Sequence, residues 1–323
     1  MESPPNPEPS PPRAGSRRRR LLVVALIGIV LVGCGWAYRE FWLARPVGEG
    51  PAGPPVSPEP FRSPWTDRHV LVFGAGDSIT AGLGAKSSSH AFFNRLVENP
   101  TDEFPEMHGL CLSRVLPNLT VRNTAVSGTN SFDHLDALSE DLPEQPADTL
   151  GLVILTTGGN DLIHWYGQHP PREGAMYGAT RQQAEPWIQA FERRLNEMLD
   201  LIIARFPGGC HIFLADIYDP TDGVGDAASA YLPAWPDGLA IHGAYNDIIR
   251  RTANRRSQVH LVPLHQTFLG HGTHCRQFWR SSYCRQDPTY WYFGNIEDPN
   301  DRGHDAVRRI FLNEIIRVLH RPV

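Results

Sequence analysis

The sequence predicts an open α/β fold: a three-layer α/β/α sandwich around a central parallel five-stranded sheet, preceded by one N-terminal transmembrane or signal-anchor helix. Three observations lead there. Short apolar runs recur from residue 70 onward and alternate with segments of helical periodicity. Three of the runs end in glycine beside polar residues, the composition of turns at the carboxyl edge of a parallel sheet. Finally, an almost unbroken apolar stretch follows four consecutive arginines near the start of the chain.

Taken in order, residues 1–20 read as a disordered basic cytoplasmic tail, rich in proline and closing on Arg17 to Arg20. Residues 21–38 carry no charge, and eighteen residues reach about 27 Å as a helix, enough to cross a bilayer. With the arginines held in the cytoplasm, everything after residue 40 faces outward. The alternative is a cleaved signal, because Leu31-Val32-Gly33-Cys34 looks like the lipobox of bacterial lipoproteins and would leave Cys34 lipidated. Residues 39–65, with seven prolines between Pro46 and Pro64, read as a linker, and residues 66–323 as the catalytic domain.

Within that domain the strands are Val70–Phe73, Leu119–Arg122, Leu152–Thr157, His211–Ala215 and Val259–Leu264. Helical spacing is strongest over Glu185–Phe206, where Trp187, Phe191, Leu195, Leu199, Ile202 and Phe206 recur at intervals of three and four. Tyr245–Arg255 reads as helix, and a last helix presents Val307, Ile310, Phe311, Ile315 and Val318 on one face. Right-handed crossovers then make the strands parallel.

Chemistry concentrates at three strand ends. Gly76-Asp77-Ser78-Ile79-Thr80 follows the first strand and sets a serine hydroxyl on a tight strand-to-helix turn. Asn123 to Asn130, with Ser127-Gly128, follows the second, and Gly158-Gly159-Asn160-Asp161 follows the third. The order and context of these blocks resemble the GDSL, or SGNH, hydrolases, over roughly residues 68–320. The resemblance implies an SGNH or flavodoxin-like sandwich and a serine esterase, with Ser78 as nucleophile and an oxyanion hole made by the Ser78 N–H, the Gly128 N–H and the Asn160 amide. Asp77 and Asp161 read as turn-stabilising carboxylates.

The same family places its histidine in an Asp-x-x-His block before the last helix, and here the chain departs from it. Aligned on Pro299-Asn300-x-x-Gly303, Asp298 stands at the histidine position and Asn295 at the aspartate position. A literal Asp-x-x-His survives one turn later, so the expected base is His304 with Asp301 on the first turn of a helix capped by Asn300. A rival base is His271 or His274, folded back from the loop after the fifth strand with Asp298 as orienting carboxylate. Zinc on His265, His271, His274 and Cys275 fits poorly, since no metal-ligand spacing supports it, and no cofactor is expected.

Four cysteines remain in the domain, Cys111, Cys210, Cys275 and Cys284, and the favoured bridge is Cys275 to Cys284. A net charge of −5 with pI near 6.3 leaves no electrostatic footprint for nucleic acid. The expected partners are a small-molecule, glycan or lipid ester and a membrane entered through residues 21–38. Two other readings stay open: a degenerate domain that binds envelope glycans without cleaving them, and an acyltransferase.

Overall fold

The computed structural model of the chain describes residues 14–320 and resolves into two units, one ending at Ala44 and one beginning at Arg45. In the first unit, α1 (Ala14–Tyr38) runs on through a π-helical turn, Arg39–Leu43. Within residues 18–43 an 18-residue window has a mean hydropathy of 2.4 and none of it is buried, so the helix is long and apolar enough to cross a membrane. Of the expected disordered tail, residues 14–20 form the start of this helix and residues 1–13 lie outside the described residues.

The second unit holds a five-stranded parallel sheet of order β2-β1-β3-β4-β5, with β1 (Val70–Ala75), β2 (Leu119–Asn123), β3 (Leu150–Leu155), β4 (Cys210–Ala215) and β5 (Val259–Val262). Val70, Val72, Leu152, Ile154, Phe213 and Val262 face one core, packed by α3 (Phe92–Val97) and the last helix, α8 (Asp301–Leu319). Their alternating neighbours Leu71, Phe73, Val153, Leu155, Ile212 and Leu214 face the other, with α4 (Ser131–Asp141), α6 (Arg181–Arg205) and α7 (Gly238–Arg255). This is the sandwich that the period-two alternation of buried strands requires.

Two helices begin earlier than their sequence signals. In α6 the Thr180 hydroxyl accepts from the N–H of Gln183, whose side chain returns to the Thr180 N–H, a capping box that starts the helix a turn before Pro186. In α7, Gly238 and Gly243 mask nearly two turns of helix that Ile241 anchors in the core.

Residues 45–62 are no free spacer. The guanidinium of Arg302 donates to the carbonyls of Val47 at 3.0 Å, Gly50 at 3.1 Å and Pro51 at 3.0 Å, and the Ala52 N–H donates to Asp305 at 3.0 Å. Ala52, Val56 and Phe61 are buried in the first core. Proline composition could not distinguish this strap from a linker, because what holds it is a set of backbone carbonyls facing charged groups on α8.

Beneath the strap lies a buried ionic cluster. Arg95 donates to Glu103 through two nitrogens, at 3.2 and 2.6 Å, and Arg308 approaches Glu103 at 3.1 Å while also pairing with Asp305. Burial alone would raise the pKa of Glu103, but the hydrogen bond from Arg95 and the charges of Arg308 and Arg95 outweigh it and hold the carboxyl at about 2 instead of 4.5. A depressed carboxyl stabilises the fold above its unfolded pKa, and that contribution disappears as the pH falls through the folded value. Glu103→Gln should therefore lower the unfolding free energy by about 3 kcal/mol at pH 7, because it leaves two buried guanidinium groups with Asp305 as the one carboxylate between them. The gap between variant and wild type, measured by urea unfolding, should narrow as the pH falls from about 4.5 towards 2.

Candidate active site

The site is built at the carboxyl ends of β1 and β3. After β1 the chain turns through Gly76, whose φ is 131°, and a Cβ there would lie 2.2 Å from the Thr156 carbonyl oxygen. Only glycine lets the two strand ends come this close. Asp77 then caps the single-turn helix α2 (Ser78–Ala81): its Oδ1 accepts from the Ile79 N–H at 3.2 Å and from the Thr156 hydroxyl at 2.9 Å. Burial pushes the Asp77 carboxyl up to about 6, against these hydrogen bonds and with the nearby Asp298 adding to the rise.

Ser78 is 7% exposed and opens into a cleft of about 1190 Å³, its mouth included. Asn160, from α5 (Gly159–Ile163), lines the same cleft. One hydrogen of its amide goes to the Thr129 carbonyl at 2.7 Å, which fixes the group and leaves the second hydrogen for a ligand. Gly128 lies on the exposed loop after β2 and is not part of the cleft lining. That loop is tied to the serine turn by the Val126 N–H, which donates to the Gly76 carbonyl at 3.0 Å. Asp161 accepts from the Ser131 N–H at 2.8 Å and from its hydroxyl at 2.5 Å, joining α5 to the start of α4.

The predicted base is not at the serine. His304 is fully buried; its Nδ1 accepts from the Phe92 N–H at 3.3 Å and its Nε2 donates to the Leu83 carbonyl at 2.9 Å. Burial pulls its pKa down to about 4, and both nitrogens are spent on backbone groups, so the ring pins α8 to α3 and the turn after α2. Asp301 instead accepts from the Lys86 N–H at 3.2 Å. The rival histidines are also placed elsewhere. His271 stacks on Trp291 with ring centres 3.4 Å apart and bonds the Thr289 carbonyl, and His274 bonds Asp226 at 2.7 Å. Nor does the expected bridge form: Cys275 and Cys284 are free thiols, as are Cys34, Cys111 and Cys210.

What the structure brings to Ser78 is Asp298. Both residues line the cleft, and the Ser78 side chain is near enough to favour the ionised form of this carboxylate, but no hydrogen bond closes between them and the buried Oδ1 has no partner. Oδ2 accepts from the Asn295 amide at 2.5 Å, and the Asn295 Oδ1 accepts from the Asp298 N–H at 3.2 Å. Burial nonetheless leaves the Asp298 pKa raised.

Sequence reasoning missed two neighbours. Glu297 accepts from the Tyr166 hydroxyl and, at 3.2 Å, from the Asn295 amide; burial, Asp298 and Asp77 push it up to about 7. Its place inside the Asn295–Asp298 block was the available signal. His242 of α7 lines the cleft as well, with Nε2 on the Ile217 carbonyl at 2.8 Å, and nothing in its sequence context marks it.

Comparison with known proteins bears on what this arrangement is. The profile of the GDSL-like lipase/acylhydrolase family matches residues 75–306. The uncharacterized protein YpmR of Bacillus subtilis (strain 168) is 24% identical over 137 residues, an alignment covering 42% of this chain and about half, 48%, of that protein. Among solved structures, a catalytic mutant of the acetylxylan esterase Axe2 from Geobacillus stearothermophilus is 18% identical, with a TM-score of 0.46 over 76% of this chain and 94% of that one. The psychrotrophic esterase EstA from Pseudoalteromonas sp. is 14% identical, with a TM-score of 0.45 over 78% and 99%. A lipolytic G-D-S-L protein from Veillonella parvula is 11% identical, with a TM-score of 0.46 over 78% and 100%. With its profile match running from the end of β1 into α8, the chain belongs to the GDSL-like lipase/acylhydrolase family.

Proposed function

We propose that this protein is a serine esterase that forms an acyl-enzyme on Ser78, held to a membrane by residues 21–38 with its catalytic domain on the extracytoplasmic side. The observation that carries the reading is the shared cleft: a serine on a one-turn helix and an asparagine amide, set there by two neighbouring parallel strands, open into one space. Attack by the Ser78 hydroxyl on an ester carbonyl creates an oxyanion, and the hydrogen of the Asn160 amide not taken by Thr129 is the donor assigned to it. Gly128 is assigned the remaining oxyanion donor through its neighbours' bonds to the serine turn, although its own N–H sits on an exposed loop.

Most of the cleft surface is apolar, contributed by Leu162, Ile163, Tyr177, Leu232, Trp235 and Leu239. That lining suits the acyl side of an ester better than a polysaccharide, whose hydroxyls would need more polar partners than it offers. The exposed apolar helix before the domain supports the membrane placement, and the four arginines preceding it support the outward orientation. Cys34 is exposed on that helix and remains the residue to examine for lipidation.

One observation favours a second reading. No imidazole among the described residues bonds Ser78, which is what a binding module descended from a hydrolase would show. A fluorophosphonate probe separates the two, since an activated serine is labelled and an inert one is not, and product analysis with an added alcohol acceptor reports any acyl transfer. Ser78→Ala should cost about 10³-fold or more in turnover of short p-nitrophenyl esters and abolish labelling while the unfolding curve stays in place; unchanged hydrolysis would remove the esterase reading. Asn160→Ala should lower kcat about 10²–10³-fold with little change in KM, because the lost donor serves the oxyanion and not the ground state.

A further inference from the structure

We infer that Asp298 is the general base of this enzyme, taking the place of the family's histidine, and that Asn295 is the residue that positions it. The inference rests on the serine-esterase reading above and concerns the one component which that reading leaves unassigned.

Three independent features of the structure point to Asp298. Asp298 is 1% exposed and lines the same cleft as Ser78; its Oδ1 is buried with no hydrogen-bond partner, and the Ser78 side chain is near enough to favour its ionised form. Its second oxygen is fixed by Asn295, which grips the carboxylate through its amide nitrogen and the Asp298 N–H through its amide oxygen. That reciprocal pair holds the carboxylate as an aspartate holds an imidazole in the usual arrangement: one face is clamped and the other is left for the proton.

The backbone is also forced into position. Ile296, a β-branched residue, has a φ of 73°, a conformation costing on the order of 1–3 kcal/mol that persists only where the surroundings impose it. Those surroundings are visible: the Tyr218 hydroxyl donates to the Glu297 carbonyl at 2.5 Å, and the Phe293 N–H donates to the Asp298 carbonyl at 2.7 Å. Strain stored beside an unpartnered buried carboxylate marks a constrained site.

The proton inventory closes. The Ser78 Oγ–H bond breaks as Oγ forms its bond to the ester carbon, and the proton passes to Asp298 Oδ1. Collapse of the tetrahedral intermediate breaks the bond to the alcohol oxygen, which leaves with that proton. Water then attacks the acyl-enzyme, gives one proton to Asp298, and the Ser78 oxygen departs from the acyl carbon and takes the proton back. A carboxylate in water is a weak base for a serine hydroxyl, and burial answers part of this by raising the pKa of Asp298. The groups that face it are Ser78 and Asp77 from the β1 turn, Tyr218 from the strand β4 side, and Asn295 and Glu297 from its own loop.

The test is the pH dependence of p-nitrophenyl acetate hydrolysis by the full-length protein in four forms: wild type, Ser78→Ala, Asp298→Asn and the double variant Asn295→Asp/Asp298→His. Asp298→Asn should lower kcat about 10²–10⁴-fold with KM little changed, the range expected for loss of a general base. The double variant rebuilds Asp-x-x-His, and the acid limb of its kcat profile should move to about pH 6.5, where imidazole titrates. If Asp298→Asn stays within threefold of wild type while Ser78→Ala is dead, Asp298 is not the base and the esterase reading survives. If Asp298→Asn does not fold, the double variant decides alone: an unmoved acid limb, or no activity from a folded variant, overturns the inference. Wild-type protein that neither hydrolyses esters nor takes a fluorophosphonate label overturns the esterase reading itself, and the inference with it.

Discussion

Close approach between the ends of β1 and β3 is the constraint on which the rest of this site depends. At Gly76 the backbone passes so near Thr156 that no side chain fits, and the same threonine then supplies the hydroxyl that holds Asp77 in its capping geometry. With Asp77 fixed, α2 begins at Ser78 and the hydroxyl is presented at a defined point on the sheet edge. A few residues along from Thr156, α5 begins and carries Asn160 to the same cleft. Two parallel strands in register thus bring the proposed nucleophile and the proposed oxyanion donor to one cleft.

Electrostatics around that point is unusual in sign. Asp77, Glu297 and Asp298 converge with no arginine or lysine among their bonding partners, and burial raises the pKa of all three. The charge of Asp298 opposes ionisation of Asp77 and Glu297, so the charge of each carboxyl depends on its neighbours. Elsewhere the chain behaves differently: Glu103, equally buried, sits between two guanidinium groups and is held ionised. The contrast separates a cluster arranged to hold structure from one arranged to titrate.

Much of this was legible in the sequence because the signals were local. Buried strands announce themselves as apolar runs, and a serine turn after the first of them needs glycine and a capping aspartate, so the blocks holding Ser78 and Asn160 could be placed at strand ends, while the family resemblance supplied the roles expected of them. The apolar helix of residues 21–38 was readable for the same reason. What escaped depended on contacts distant in the chain. Residues 45–62 look like a spacer until Arg302 and Asp305 of α8 are seen to bond their backbone. His304 has the spacing of a catalytic histidine, yet its partners are Leu83 and Phe92, more than two hundred residues away. A cysteine pair nine residues apart suggests a loop closure, but Cys275 is turned into the first core beside Phe268 and Trp291 while Cys284 stays near the surface.

The choice between two alignments of the last motif shows how packing decides chemistry. Read by its letters, Asp301-x-x-His304 is the better match; read by the Pro-Asn-x-x-Gly frame, Asp298 inherits the position of the base. The frame is what the fold enforces. Asn300 caps α8 by accepting from the Gly303 N–H at 2.9 Å, and its amide donates to the carbonyls of Tyr290 and Tyr292 at 2.8 and 3.1 Å. Gly303 is pressed against the Trp291 carbonyl, where a Cβ would come within 2.2 Å. With those two residues locked, the side chain two positions ahead of the cap is set in the cleft that Ser78 lines. A histidine on the first turn of α8 lies past the lock and is carried into the core instead. Position relative to the helix cap, and not residue type, selects which side chain shares the cleft with Ser78, and in this chain that side chain is a carboxylate clamped by an amide.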